Sequence, residues 1–135
     1  MHMDTMIFPN LPVKDLDAAK AFYTALGYEI NAQFTDENAS AVVISDTIVV
    51  MLLREEFFGT FTSRAIADTT TTVEIMNGLG VASRAEVDRI ADAALAAGGR
   101  ATGEPQDQGF MYSRGFADLD GHEWSVLWMD PSALQ

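Results

Sequence analysis

The chain reads twice, and that duplication constrains its fold more than any other feature. Pro12-Val13-Lys14-Asp15-Leu16-Asp17 opens a helical stretch that ends at Leu26-Gly27. Roughly 68 residues later, Gly80-Val81-Ala82-Ser83-Arg84-Ala85 opens another, which ends at Gly98-Gly99. The late runs match as well: Ser45-Asp46-Thr47-Ile48-Val49-Val50-Met51-Leu52-Leu53 aligns with Leu119-Asp120-Gly121-His122-Glu123-Trp124-Ser125-Val126-Leu127. One repetition predicts two similar modules, since a solenoid needs three or more units to bury a continuous core. The expected bounds are about 5–68 and about 69–131 within a single domain spanning residues 1–135. Two such modules can face each other and enclose one site.

Periodicity assigns the elements. Ile7 to Val13 reads as a strand, which Pro9 and Pro12 confine to an edge or an irregular position. Asp15 fits an N-cap, Leu16, Ala19, Phe22, Tyr23 and Leu26 share one helical face, and Gly27 stops the helix. Tyr28–Phe34, Ala39–Ser45 and Thr47–Arg54 read as strands, the last two joined by a short turn. Glu55 to Ile66 is a connector, helical around Glu55-Glu56-Phe57-Phe58, and its phenylalanines imply packing on a partner subunit or a pocket rim. In module two, Val73 to Val81 is a strand and Ser83-Arg84-Ala85-Glu86 is a capping box. The helix behind it is expected to bury Val87, Ile90, Ala94 and Leu95. After a turn-rich loop over Gly103–Gly109, Phe110–Ala117 and Glu123–Met129 form strands around the hairpin signal Asp120-Gly121. The order β-α-β-β-β, twice, places the chain in the α+β class.

Composition removes several functions. The formal charge of −12 argues against nucleic-acid binding, which rests on Lys and Arg, and against anionic membrane surfaces. It favours solubility, or a cationic ligand. With no cysteine, disulfides, thiolate catalysis and Cys-ligated metals are excluded. Of the two histidines, His2 belongs to the terminal Met1-His2-Met3, leaving His122. The longest strongly apolar run, Ile48 to Leu53, is far too short to span a bilayer. With no visible secretory leader, Asn38-Ala39-Ser40 is a chance glycosylation match and the expected location is cytoplasmic.

Asn10-Leu11-Pro12-Val13-Lys14-Asp15-Leu16, Ala21-Phe22-Tyr23-Thr24-Ala25-Leu26-Gly27 and Asp118-Leu119-Asp120-Gly121-His122-Glu123-Trp124 resemble the vicinal oxygen chelate superfamily. That group holds glyoxalase I, bleomycin- and fosfomycin-resistance proteins and extradiol dioxygenases. Ser83-Arg84-Ala85-Glu86-Val87-Asp88 and Asp107-Gln108-Gly109-Phe110-Met111-Tyr112 further resemble a bacterial lactoylglutathione-lyase-like subgroup. The resemblance implies two βαβββ modules forming a curved mixed sheet around a cleft, the glyoxalase/bleomycin-resistance fold. It also implies a homodimer, and it leaves open whether modules are exchanged between subunits.

In the metal enzymes of that superfamily, the first and last strands of each module point His, Gln or Glu into the cleft, where a divalent ion polarises a substrate oxygen. Carried over residue by residue, the first-strand positions fall on Phe8 and Met76 and the last-strand positions on Met51 and Ser125. A Met thioether prefers soft metals, and related sequences often carry Glu where Ser125 stands. Near these positions only Asn10, Glu74, His122 and Glu123 could ligate. His122 and Glu123, being adjacent, face opposite sides of a regular strand. A bound divalent metal is therefore disfavoured, and no cofactor is expected.

The remaining candidates have plainer alternatives. Asp118-Leu119-Asp120-Gly121 as a calcium loop lacks its later ligands, and a hairpin accounts for it. His122 as a general base has no partner placed by the sequence, and a hairpin-end histidine is ordinarily structural. Phe110, Tyr112, Arg114 and Phe116 alternate onto one strand face, which either walls the cleft or packs on a helix with Phe110 and Phe116 as core. Trp124 and Trp128 are expected beneath the module helix. Met51, Met76 and Met111 serve as adaptable pocket lining or as core filler. The expected ligand-binding residues are Phe8, Asn10, Met51, Met76, Tyr112, Arg114, Glu123 and Ser125. Three functions stay open: a metal-free small-molecule binding protein, which is favoured; a metal-dependent lyase or dioxygenase; and a metal-independent enzyme using Tyr112, Arg114 or Glu123.

Overall fold

Pro9 decides where the first strand begins. In the computed structural model, which describes residues 4–134, the segment 7–9 already runs beside a later strand. Ile7 N–H donates to Thr47 O at 2.9 Å, and the Val49 and Met51 N–H groups donate to Ile7 O and Pro9 O at 3.1 and 2.8 Å. Pro9 has no N–H for the return bond, so regular pairing starts only at β1 (Asn10–Val13), three residues later than the apolar pattern suggests. Phe8 thus lies ahead of the strand rather than within it. His2 lies outside the described residues.

Asp15 accepts the Ala18 N–H at 3.0 Å and opens α1 (Leu16–Ala25), whose expected face of Leu16, Ala19, Phe22, Tyr23 and Leu26 is buried. Gly27, at φ 101°, ends it in a conformation that favours glycine. β2 (Glu29–Asn31) is shorter than expected because the Asn31 side chain accepts the Gln33 N–H at 3.0 Å and turns residues 32–34 into a 3-10 helix. β3 (Ala39–Val43), β4 (Val49–Arg54) and α2 (Glu55–Phe58) follow. The sheet order is β1-β4-β3-β2, with β1 parallel to β4 and the other pairs antiparallel.

The chain divides into two units, Met1–Ala67 and Asp68–Gln135. The second repeats the topology of the first. β5 (Met76–Gly80), α3 (Arg84–Ala96), β6 (Arg100–Ala101), β7 (Gln106–Asp107), β8 (Met111–Ala117) and β9 (Glu123–Met129) form a sheet ordered β5-β9-β8-β6, with β7 also on β8. Again the first strand lies parallel to the last. Of the two short strands, β7 lies within the loop that the sequence predicts over Gly103–Gly109, and β6 lies just ahead of it, where no element is assigned.

Ser83 caps α3 by accepting the Glu86 N–H at 3.1 Å. Val87, Ile90 and Ala94 are buried as expected, but Leu95 is 38% exposed and Ala91 takes its place. At about 100° per residue, Leu95 lies about 80° round from Val87 and Ala91 only about 40°, so Leu95 falls on the margin of the buried stripe. α1 covers one face of its sheet over Val42, Val50 and Leu52, and α3 covers the other sheet over Phe116, Trp124 and Val126, all of them buried. This is an α+β fold of two βαβββ modules with mixed sheets. Among the described residues no helix is long and apolar enough to cross a membrane.

Candidate functional site

Alternation along β8 and β9 sorts the second sheet into two faces. One is covered by α3. The other carries Met76 and Gly78 of β5, Glu123 and Ser125 of β9, and Ser113 and Gly115 of β8, aligned across the sheet by the register. Met76, Glu123, Ser125, Ser113 and Gly115 of this open face line a cavity of about 250 Å³, together with Thr102, Gly103, Glu104 and Gln106. Of the expected site residues, the structure brings together Met76, Glu123 and Ser125 here.

Small residues of the sheet, Ser113, Gly115 and Ser125, line part of the cavity. Gly78, Ser125 and Gly115 are register partners across three adjacent strands. No atom lies within 4 Å of the place a Cβ would take at Gly78, while at Gly115 that place is filled by Thr102 Oγ1. The charged groups lining the cavity are the carboxylates of Glu123 and Glu104, with no Lys or Arg beside them. Glu104 belongs to the loop that sequence reading passes over as turn-rich, and Thr102 lies just ahead of it. Only the pairing of β6 and β7 with β8 brings that loop to the open face.

Tyr112 and Arg114 do not join this group. They lie on the opposite face, the alternative the sequence also allows. The Tyr112 hydroxyl donates to Asp88 Oδ1 at 2.6 Å, and Arg114 Nη1 donates to Asp88 and Asp92 at 3.0 and 2.9 Å. Asp88 and Asp92 stand one turn apart on α3, so the strand pair is tied to the helix. The hydrogen bond to Asp88 raises the Tyr112 phenol above its ordinary value, and the same bond, with that from Arg114, lowers Asp88. Burial pulls Arg114 down, but the hydrogen bonds and charges of Asp92 and Asp88 outweigh it. Phe116 is core as expected for this face, whereas Phe110, just ahead of β8, is 48% exposed.

Arg84 closes the same side. Its guanidinium donates to both carboxylate oxygens of Asp107 at 2.9 and 3.0 Å and to Gly109 O at 2.8 Å. It also lies 5.3 and 5.1 Å from the ring centres of Tyr112 and Trp128. The bond from Arg84, helped by the Gly109 N–H, holds the Asp107 carboxyl down at about 2. This carboxylate therefore stabilises the folded state above its unfolded pKa of about 3.9, and that contribution is lost as pH falls through about 2. Asp107→Asn is expected to remove the pH dependence that this group contributes between about pH 4 and about pH 2. Urea denaturation of wild type and variant across that range, followed by tryptophan fluorescence, tests it. Parallel stability–pH curves would refute it.

His122 is structural. Its ring is 1% exposed, and Nδ1 lies 2.7 Å from Glu74 Oε1. Its backbone N–H donates to Asp118 Oδ1 at 2.9 Å, and the same oxygen accepts the Asp120 N–H at 3.0 Å. The Asp118 carboxylate thus organises the turn from within, the hairpin rather than the calcium reading. Thr69 Oγ1 donates to the Asp120 carbonyl, so the segment entering β5 is clasped to the β8–β9 turn twice.

In the first unit, β1 and β4 pair Asn10 with Met51, and Asn10 Nδ2 donates to Phe8 O at 2.7 Å. Phe8 is 50% exposed and Met51 half-buried. Asn10 lines a second cavity of about 450 Å³ with Leu53, Phe58, Phe61 and Thr62. Residues that could hold a divalent ion are scarce. The aligned strand positions carry Phe8, Met51, Met76 and Ser125, and His122 is engaged by Glu74. Among the described residues no group of three His, Cys, Asp or Glu could hold a metal ion. This donor set does not fit a hard or borderline divalent metal.

A family model described as "Bleomycin resistance protein-like N-terminal" matches residues 5–45. Among solved structures, a hypothetical protein from S. aureus superposes with a TM-score of 0.78 at 31% identity, covering 95% of each chain. A glyoxalase/bleomycin resistance protein/dioxygenase family enzyme from Burkholderia phytofirmans PsJN gives 0.77 at 14% identity, over 93% of this chain and 99% of that one. A lactoylglutathione lyase from Agrobacterium tumefaciens gives 0.65 at 20% identity, over 93% and 94%. No curated protein matches the chain.

Proposed function

Because this chain belongs to the glyoxalase/bleomycin-resistance/dioxygenase family, the vicinal oxygen chelate superfamily, we propose that it is a small-molecule binding protein that works without a divalent metal, as a cytoplasmic homodimer. The observation that carries this reading is the cavity of the second unit. Met76 and Ser125 stand where metal enzymes of the superfamily need ligands, and the cavity is nonetheless formed, with small residues at Ser113, Gly115 and Ser125 and an acidic lining. Glu123 and Glu104 favour a ligand presenting a cationic or strongly hydrogen-bond-donating group. The Ser125 hydroxyl can orient it. Met76, 72% exposed, supplies an adaptable apolar edge.

The acid–base reading that used Tyr112 and Arg114 has little support, since both are committed to Asp88 and Asp92 on the helix side. The direct test is calorimetric titration of demetallated protein with nickel, zinc, manganese and, anaerobically, ferrous ions. The expected result is no stoichiometric tight binding by any of them. A stoichiometric site of micromolar affinity or better would overturn the metal-free reading and lead to glyoxalase and dioxygenase assays. Sedimentation at several concentrations tests the dimer.

A further inference from the structure

The cavity of the first unit is a separate matter. We infer that it is a binding site for a small aromatic ring carrying an N–H or O–H donor. Four observations converge on it.

The volume of about 450 Å³ falls within the range of small-molecule pockets and is far too small for a folded partner. Two of its walls are phenyl rings, Phe58 and Phe61, over Leu53 of β4. Phe61 is 70% exposed, an unfavourable position for a ring in water, yet it is not loose. It meets Phe57 edge-to-face, with centroids 5.1 Å apart at 84°. The Thr60 hydroxyl donates to Phe57 O at 2.7 Å, and the turn begins on α2, which packs on β1 and β4. An exposed ring held in a fixed pose offers a flat surface at little ordering cost.

The polar group is fixed too. Phe8 O can only accept, so Asn10 must turn its amide nitrogen toward it, which leaves Oδ1 as the acceptor available to a ligand. Asn10 sits at the edge of the sheet, and no partner holds Oδ1 among the described residues. An apolar pocket with one oriented acceptor selects an aromatic ring with one donor, and discriminates against the same ring without it.

Indole and 1-methylindole differ by that donor and serve as probes. Each is titrated into the full chain labelled with ¹⁵N, following the Asn10 side-chain amide and the Phe61 and Thr62 backbone signals. Indole is expected to bind saturably, and about threefold to tenfold more tightly than 1-methylindole. Phe61→Ala should weaken indole about tenfold. In Asn10→Ala the two probes should bind alike. Both residues are exposed, so neither change removes core, and Phe34→Ala, an exposed ring outside the cavity, should leave affinity unchanged. Failure of indole to saturate these signals overturns the site, as does an effect of Phe34→Ala equal to that of Phe61→Ala. If Phe61→Ala alters only sedimentation, the ring belongs to a protein–protein contact and the inference falls. None of these outcomes depends on the cavity of the second unit or on metal binding.

Discussion

Replacing His122 with alanine is expected to lower stability by about 3 kcal/mol. Breaking a buried ion pair or strong hydrogen bond by removing one partner costs about 3–5 kcal/mol, because the other partner is left desolvated. Glu74 is 24% exposed, so water relieves part of that penalty and the lower end applies. The lost imidazole also leaves a hole beneath the β8–β9 turn. Urea denaturation measures the change as a shift in midpoint at unchanged slope. Hydrogen exchange should localise it, with the amides of Met76–Gly80 losing protection first because His122 and Glu74 join that strand's entry to the turn. Glu74→Gln keeps a hydrogen-bonding group and should cost about 1 kcal/mol. A loss below about 0.5 kcal/mol for His122→Ala would mean that the pair does not hold the segment.

The second large effect is expected at Gly121. Its φ of 84° lies in the region that favours glycine, and alanine there costs about 1 kcal/mol. A Cβ would also lie 2.7 Å from Thr69 Oγ1, 2.9 Å from Thr69 Cβ and 3.2 Å from Thr69 O. The last of these is backbone and cannot rotate away. Overpacking of this kind adds about 1–2 kcal/mol, so Gly121→Ala should cost about 2–3 kcal/mol in total. A Thr69→Gly background removes the side-chain overlap, and there the penalty should shrink to about 1–2 kcal/mol. Equal penalties in both backgrounds would show that strain alone matters. The Gly121 and His122 effects should not sum in the double variant, because both act on the same clasp.

The duplication, the helix caps and the strand β9 were legible because each is local. A capping box spans four residues, and a buried helical face repeats within one turn. What sequence reading missed was set by distance or by a single backbone atom. Glu74 and His122 meet across 48 positions, and nothing in either segment names the other. Pro9 removes one N–H and delays β1, although the apolar pattern continues through it. Alternation correctly put Tyr112, Arg114 and Phe116 on one face, but period alone cannot say which face a helix covers. That was decided by Asp88 and Asp92, whose one-turn spacing on α3 is visible in the sequence only after Arg114 is known to lie beneath. The expected site divides for the same reason: Met76, Glu123 and Ser125 share one cavity, Asn10 and Met51 pair in the other unit, and Tyr112 and Arg114 serve the scaffold.

The bare strip through Gly78 and Ser125 separates two properties that are usually entangled. In most pockets the floor is made of core side chains, so changing its depth disturbs folding. Here the space above Gly78 and Gly80 is open for 4 Å around each missing Cβ. Side chains added there would project from the open face beside the cavity while leaving the hydrophobic face against α3 untouched. The surroundings of the cavity can therefore vary, by natural variation or by design, without any change to the side chains packed against α3.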